Sequence, residues 1–220
     1  MLNLANTNHT KKIHDAASDM VAYGQAFYAK GWNLATSSNY SAVVSEEPLQ
    51  VLMTASGKHK GELTTSDFVL VDESLKVVEP DGKPSTTNLK PSAEAALHLA
   101  IARRAGVGAV LHTHSIWSTI LSERYFADKA VTLSGYEMLK ALAGIKTHET
   151  TVRIAILENS QDMDEVAEIV NAKIDSGEIE HGFLLKGHGL YTWAASLAAA
   201  RNQVEALEFL FEVVGRSGGS

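Results

Sequence analysis

The order of apolar patterns along the chain predicts an α/β fold with a central mixed, largely antiparallel sheet covered by helices. Three observations support this prediction. Short extended runs follow one another early in the chain with no helical segment between them, which favours antiparallel pairing. Amphipathic helical segments stand near both ends of the chain. The regular strand and helix alternation of a fully parallel sheet is not present.

The first half of the chain begins with a predicted helix. Residues 13–30 place apolar side chains at helical spacing, and Gly31 is a common residue after a helix end. A second helix is expected after Pro91, because Ser92 suits its N-cap and the arginines at 103–104 suit its last turn. Between these two helices, extended runs predict strands at 50–55, 68–72 and 75–79.

In the second half, predicted strands and helices succeed one another more closely. An apolar run from Gly106 predicts a strand that carries His112 and His114 at its end. The last helix, at 197–214, spaces its apolar residues alternately three and four apart. Between them we expect helical segments at 115–123, 136–143 and 160–174, and strands at 152–157, 182–186 and 190–193.

Length and composition indicate one globular domain. The 220 residues are 45% apolar and 20% charged, and we assign residues 1–215 to a single domain and residues 216–220 to a flexible appended tail. A net charge of −7 argues against binding to nucleic acid or to an anionic membrane surface. We expect a cytoplasmic protein, because neither a membrane span nor a signal-peptide core is recognisable.

Two histidines separated by a single residue predict a metal site. Side chains two apart on a strand share a face, so His112 and His114 can converge on one ion. The alternative is a pair of ordinary surface or core histidines. His188 offers a third ligand, because flanking glycines permit a tight turn after an apolar run. With no cysteine in the chain, zinc would be held by His, Asp or Glu alone, and three imidazoles leave one position open.

Two loops contain groups that could bind an anion, although the first is at least as compatible with a solvated turn. The first loop contains several hydroxyl and amide side chains. The second contains a turn and two lysines, directly after a strand. Two carboxylates are less distinctive: Glu94 suits helix-dipole stabilisation, and nothing local marks Glu137. The loop residues in question are Thr36, Ser37, Ser38 and Asn39 in the first, and Ser56, Gly57 and Lys60 in the second.

Together these segments resemble the class II aldolase/adducin family. The resemblance covers about residues 22–214 in the family's order, and its motifs lie at 30–41, 54–61, 90–94, 112–115 and 187–193. It implies a three-layer α/β/α fold, assembled as a homo-oligomer, usually a tetramer, with active sites near subunit boundaries. By the family pattern, His112, His114 and His188 would bind one Zn²⁺ per subunit.

The resemblance also implies catalytic roles and a sugar-phosphate substrate. Glu137 sits where a dehydratase branch of the family has its general acid/base, and Glu94 matches an acidic position near the metal in aldolase relatives. The two polar loops would then hold the substrate phosphate. The function implied is zinc-dependent dehydration of 5-methylthioribulose 1-phosphate in methionine salvage.

Alternatives remain open at this point. An aldolase or epimerase of the same family uses the same metal ligands but breaks a different bond. A non-catalytic adducin-like domain or an engineered assembly domain is the third reading, suggested by the alanine-rich stretch at 194–200 and the terminal Ser-Gly-Gly-Ser. Two positions depart from the family pattern, since Ser38 and Ala194 replace glycines. A left-handed backbone at Ser38 would cost about 1 kcal/mol.

Overall fold

The computed structural model describes residues 4–218. It contains five α-helices and eight strands within this part of the chain. In chain order these are α1 (Leu4–Ala29), β1 (Asn39–Glu46), β2 (Leu49–Thr54), β3 (Phe68–Asp72), α2 (Ala95–Ala102), β4 (Ala109–Thr113), α3 (Ile116–Arg124), β5 (Ala130–Ser134), β6 (Thr151–Leu157), α4 (Met163–Asp175), β7 (Phe183–Leu185), β8 (Gly189–Ala194) and α5 (Leu197–Ser217).

All eight strands form one sheet in the order β3-β2-β1-β4-β8-β7-β6-β5. Every neighbouring pair is antiparallel except β6 and β7, which are parallel. The predicted mixed, largely antiparallel sheet is therefore confirmed. Strand β4 lies near the centre of the sheet, between β1 and β8, so its side chains are covered from both faces.

Helices cover the sheet on both faces and complete three layers. Helices α1, α3 and α5 bury residues such as Phe27, Leu121 and Leu207 against one face. Helices α2 and α4 bury Leu97 and Val170 against the other. Because β4 and β7 are buried on both sides, residues 109–111 of β4 and all of β7 read in the sequence as continuous apolar runs rather than as alternating patterns.

Some predicted elements differ from the structure. Strands β1 and β5 were not predicted, because the start of β1 reads as a polar loop and β5 carries exposed residues on one face. The predicted strand at 75–79 is wrong: Leu75 adopts a positive φ of 61°, and Val77 and Val78 form isolated bridges only. The predicted helix at 136–143 is a short 3-10 helix, Glu137–Ala141.

The remaining corrections concern helix ends, and the first is that α1 begins at Leu4, well before the predicted start at residue 13. Helix α2 begins at Ala95 rather than directly after Ser92, whose hydroxyl accepts a hydrogen bond from the N–H of Glu94 in the preceding turn. Helix α5 continues through Ser217, two residues into the predicted tail, while residues 219–220 lie outside the described part of the chain. None of the helices within residues 4–218 has the length and apolar character needed to cross a membrane.

Candidate metal centre and substrate pocket

The candidate metal centre lies at one end of three central strands, where β4 ends and where β1 and β8 begin. The register places His112 of β4 opposite Asn39, the first residue of β1, and opposite Tyr191 of β8. His114 follows β4 directly, and its N–H donates to the carbonyl of Trp32 over 2.7 Å. His188 lies in the turn between β7 and β8. Strand pairing therefore brings together histidines 74 residues apart.

The three imidazoles face one another through their Nε2 atoms. The Nε2 of His114 lies 2.7 Å from that of His112 and 3.1 Å from that of His188. His112 is fully buried, and its ring stacks on Tyr191 with centroids 3.9 Å apart. The structure thus brings all three predicted ligands together, as a group whose nitrogen atoms lie within 4.8 Å of one another.

The hydrogen bonds behind the rings identify which nitrogen is free to bind a metal. The Nδ1 of His112 lies 2.8 Å from the carbonyl oxygen of Leu190, which can only accept, so this nitrogen carries the proton. The Nδ1 of His188 lies 3.1 Å from Oδ1 of Asn159 in the same arrangement. Both rings therefore present an unprotonated Nε2 to the centre, which is the form that binds a metal.

Burial keeps these histidines neutral. It lowers the pKa of His112 well below its usual value and that of His114 to about 4, with repulsion between the neighbouring imidazoles acting in the same direction. Burial also lowers the pKa of His188, although the nearby Glu94 carboxylate raises it. Neutral imidazoles at neutral pH are the state that a metal requires, since protonation competes with metal binding.

Glu94 completes the centre. One oxygen of its carboxylate lies 3.2 Å from Nε2 of His188, and the other lies 3.7 Å from Nε2 of His112. The side-chain amide of Asn39 donates to the carboxylate and also lies 3.2 Å from the Ser92 hydroxyl. Lone pairs from a carboxylate and from unprotonated imidazoles converge on one point, and a cation is the group that such a donor set fits.

A cavity of about 260 Å³ opens from this centre. It contains all seven residues that we predicted in the two polar loops, next to Glu94 and two of the histidines. Sequence reasoning missed five further lining residues, because nothing local distinguishes them: Ala55, Ser92, Ala93, Gln161 and Met163. The predicted residues that line the cavity are Thr36, Ser37, Ser38, Asn39, Ser56, Gly57, Lys60, Glu94, His114 and His188.

Lys60 is the cation of this cavity. Only 2% of the residue is exposed, and its ammonium donates to the carbonyls of Thr36 and Lys58 over 3.3 and 2.7 Å. Burial lowers the pKa of Lys60 to about 8, although the charge of Glu94 acts in the opposite direction. A buried ammonium satisfied mainly by carbonyl dipoles retains attraction for an anion that enters the cavity.

The first polar loop has a strained backbone. Ser38 adopts a φ of 69°, the left-handed conformation that favours glycine. Its side chain is buried, and its hydroxyl lies 3.5 Å from the carbonyl of Trp32. The loop thus keeps its turn with a serine in place of glycine, at a cost of about 1 kcal/mol. At the second departure, Ala194 ends β8 with no positive φ, so the alanine fits an ordinary strand position.

Glu137 lies apart from the cavity. It is exposed at the start of the short 3-10 helix, where its carboxylate pairs with Lys140 and, over 3.2 Å, with His148. The hydrogen bond from Lys140 lowers the pKa of Glu137. Around it lies an apolar hollow lined by Tyr136, Met138, Ala141, Phe209 and Val213. A single chain therefore does not place Glu137 among the residues that line the metal centre.

Comparison with known proteins defines the family. Residues 18–214 match the class II aldolase and adducin N-terminal domain, and the chain belongs to this family. A methylthioribulose-1-phosphate dehydratase from Alcanivorax borkumensis is 44% identical over 205 residues, 93% of this chain and 92% of that protein. The dehydratase of the same name from Pseudomonas aeruginosa is 45% identical over 204 residues, 92% of this chain and 91% of its own.

A solved structure agrees in fold. The putative aldolase/epimerase/decarboxylase YgbL from Escherichia coli superposes with a TM-score of 0.74 at 22% identity, covering 94% of this chain and 91% of that one. At this identity the likeness concerns the fold alone. The three-layer α/β/α architecture expected from the sequence is thereby confirmed.

We predict that His114→Ala abolishes stoichiometric metal binding. His114 is the central member of the group, since its Nε2 lies nearest to both other rings. The metal content of purified protein, measured by mass spectrometry after zinc loading and desalting, should fall from about one ion per chain to near zero. His14→Ala, at an exposed site on α1, is the matched control. Full retention of the ion in His114→Ala would place the metal elsewhere.

Proposed function

We propose that this protein catalyses the zinc-dependent dehydration of 5-methylthioribulose 1-phosphate to 2,3-diketo-5-methylthiopentyl 1-phosphate, a step of methionine salvage. One observation carries the proposal: three neutral imidazoles and a carboxylate converge at one side of a small cavity that also holds a buried lysine. The identity of 44–45% to dehydratases over nearly the whole chain supports this substrate.

Zinc is the metal that this donor set fits best. Three imidazole nitrogens suit zinc and leave one coordination position open for the substrate, and the sequence has no cysteine that could add a thiolate ligand. When bound, one Zn²⁺ per subunit supplies a Lewis acid for the carbonyl and neighbouring hydroxyl oxygens of the ketose. His112, His114 and His188 would hold it, with Asn159 and the Leu190 carbonyl fixing two of the rings.

The two polar loops are proposed to hold the phosphate. The Lys60 ammonium provides the charge, and the hydroxyls of Thr36 and Ser56, which also line the cavity, provide hydrogen-bond donors. The small size of the cavity matches the substrate, in which the phosphorylated C1 is bonded directly to the C2 carbonyl carbon. A phosphate held by these loops therefore places the carbonyl toward the histidines.

Two carboxylates are proposed to move the protons. The reaction removes the proton from C3, releases the C4 hydroxyl as water and ends with tautomerisation to the diketone. Glu94 lines the cavity. The amide of Asn39 donates to one oxygen of its carboxylate, and the other oxygen lies beside Nε2 of His188. The second acid/base is assigned to Glu137, on the strength of the family resemblance.

For Glu137 to act, a second copy of the chain has to supply it. We propose a homo-oligomer, a tetramer by the family pattern, in which the surface around Glu137 packs against the cavity of a neighbouring subunit. Two observations support this arrangement: Phe209 is 47% exposed and Met138 is 36% exposed in the apolar hollow beside Glu137. Exposed large apolar side chains clustered around a charged group are typical of a subunit interface.

Aldol cleavage or epimerisation is the second candidate. The observation that favours it is the position of Glu94, the acidic residue of aldolase relatives, within the cavity while Glu137 lies outside. A non-catalytic domain is disfavoured, because such a domain has no need to retain three converging ligands.

We expect zinc-loaded protein to convert 5-methylthioribulose 1-phosphate into a product with diketone absorbance. The rate should fall by at least a hundredfold in His114→Ala, because the ligand group is broken. The measurement is a continuous absorbance assay with a parallel test for released aldehyde. Aldehyde without diketone would support the aldolase instead, and turnover by His114→Ala at the full rate would exclude the metal mechanism.

The two carboxylates can be tested by mixing subunits. Glu137→Gln should lower kcat by about 10²- to 10⁴-fold, the usual contribution of a general acid/base, with the zinc content unchanged. If Glu137 serves a neighbouring subunit, oligomers reassembled from Glu137→Gln and His114→Ala chains should recover activity, since some sites then contain both groups. Glu149→Gln, also exposed and nearby in sequence, serves as the control. Failure of the mixture to exceed either variant alone would argue against sharing between subunits.

The proposed phosphate site predicts a pH dependence. Because the pKa of Lys60 is lowered to about 8, its ammonium is charged below that pH and becomes neutral above it. A phosphate monoester is already a dianion in this range. Thus kcat/KM should fall as the pH rises through about 8.

The same pH profile can be assigned to Lys60 by substitution. Lys60→Met should lower kcat/KM at pH 7 and remove the alkaline limb, as initial rates between pH 6.5 and 9.5 would reveal. Lys58→Met is the control, because its ammonium pairs with Asp67 over 2.7 Å. An alkaline limb that persists in Lys60→Met would have to belong to another group.

A further inference from the structure

Glu208 is a buried carboxylic acid that the proposed reaction does not use. It lies on α5 with 2% of the residue exposed, behind the strand that carries the histidines. Burial raises the pKa of Glu208 to about 7, against the effect of hydroxyl groups on Ser115 and Thr113. A carboxyl group is costly to bury, so its position calls for a specific partner.

That partner is the residue between two of the metal ligands. The hydroxyl of Thr113 donates to Oε1 of Glu208 over 2.6 Å, and Thr113 separates His112 from His114. Because neighbouring side chains on a strand point to opposite faces, the histidines face the cavity while Thr113 faces α5. The Glu208 carboxyl therefore binds the strand on the face opposite the imidazoles, at the residue that lies between the two histidines.

A second set of hydrogen bonds extends from this point to the third ligand. Ser115 caps the N-terminus of α3, and its carbonyl accepts from the hydroxyl of Thr119 over 2.9 Å. The same Thr119 hydroxyl lies 3.2 Å from the carbonyl of His188. One turn further, the Ser122 hydroxyl accepts from the N–H of Gly187 over 2.9 Å. Helix α3 thus ties the end of β4 to the turn that carries His188.

We propose that Glu208 is a positioning residue for the metal centre: by anchoring Thr113, it fixes the spacing of His112 and His114, and through Ser115 and α3 their position relative to His188. This inference rests on the proposed function only in that it takes the three histidines to be the metal ligands. Groups behind metal ligands typically change metal affinity by 10- to 100-fold. Glu208 therefore acts on metal affinity and touches neither metal nor substrate.

The test is the zinc affinity of the full-length protein, measured by competition with a chromophoric chelator. Glu208→Leu removes the acceptor at similar volume, and Thr113→Val removes the donor at nearly constant shape. We expect zinc dissociation constants 10- to 100-fold higher in Glu208→Leu and raised in the same direction in Thr113→Val. Glu208→Gln keeps an oxygen acceptor for Thr113, so its affinity should stay within about threefold of the starting protein.

Controls separate positioning from loss of fold. Glu212→Gln changes an acid one turn along the same helix, where the Glu212 carboxylate pairs with Arg216. This change should leave zinc affinity unchanged. Circular dichroism of the metal-free proteins shows whether each variant is folded at the temperature of the titration. If Glu208→Leu does not fold, Thr113→Val and Glu208→Gln carry the comparison.

Different outcomes would contradict the positioning role of Glu208 and the assignment of the three histidines as metal ligands. Folded Glu208→Leu and Thr113→Val chains that bind zinc as tightly as the starting protein would overturn the positioning role alone. Zinc binding that is insensitive to His114→Ala would overturn the metal centre, and the positioning role with it. Additive losses in a Glu208→Leu/Thr113→Val double variant would also contradict the proposal, because the two side chains act through one hydrogen bond.

Discussion

The candidate site depends on the antiparallel pairing of β4 with β1 on one side and β8 on the other. This register sets Asn39, His112 and Tyr191 side by side, and the same pairing places the turn with His188 beside the end of β4. Backbone hydrogen bonds in the middle of a sheet are the most rigid connection a small domain offers. A metal centre anchored there can hold its ligands in place before the metal arrives.

Burial determines the chemistry of that centre. Desolvation lowers the pKa values of the three histidines and of Lys60. The imidazoles are therefore neutral at neutral pH, which is the form that binds a metal, whereas Lys60, with a pKa of about 8, still carries its charge there. The cavity thus presents metal-binding nitrogens at one end and a positive charge that suits a phosphate at the other.

The two carboxylates first singled out in the sequence have very different surroundings. Glu94 is held by Asn39 against two imidazoles. Glu137 is exposed, and its partner Lys140 favours the ionised state, which is unsuited to an acid that must give up and regain a proton near neutral pH. Packing of a neighbouring subunit on the apolar hollow beside it would change that environment, which is why assembly and activity are linked in the proposed mechanism.

The sequence by itself determined the fold class, the helix and strand positions with strong periodicity, and the three histidines, because spacing on a strand and glycine-flanked turns are local properties. It also marked the polar loops that share the cavity. Strands β1 and β5 and the groups behind the histidines, Asn159 and Glu208, carry no such local signal. Only the tertiary structure decided the pairing of these strands, the positions of Asn159 and Glu208 behind the histidines, and the separation of Glu137 from Glu94. The reason is that sheet register and helix packing bring together residues distant in the chain, through contacts that no local pattern encodes.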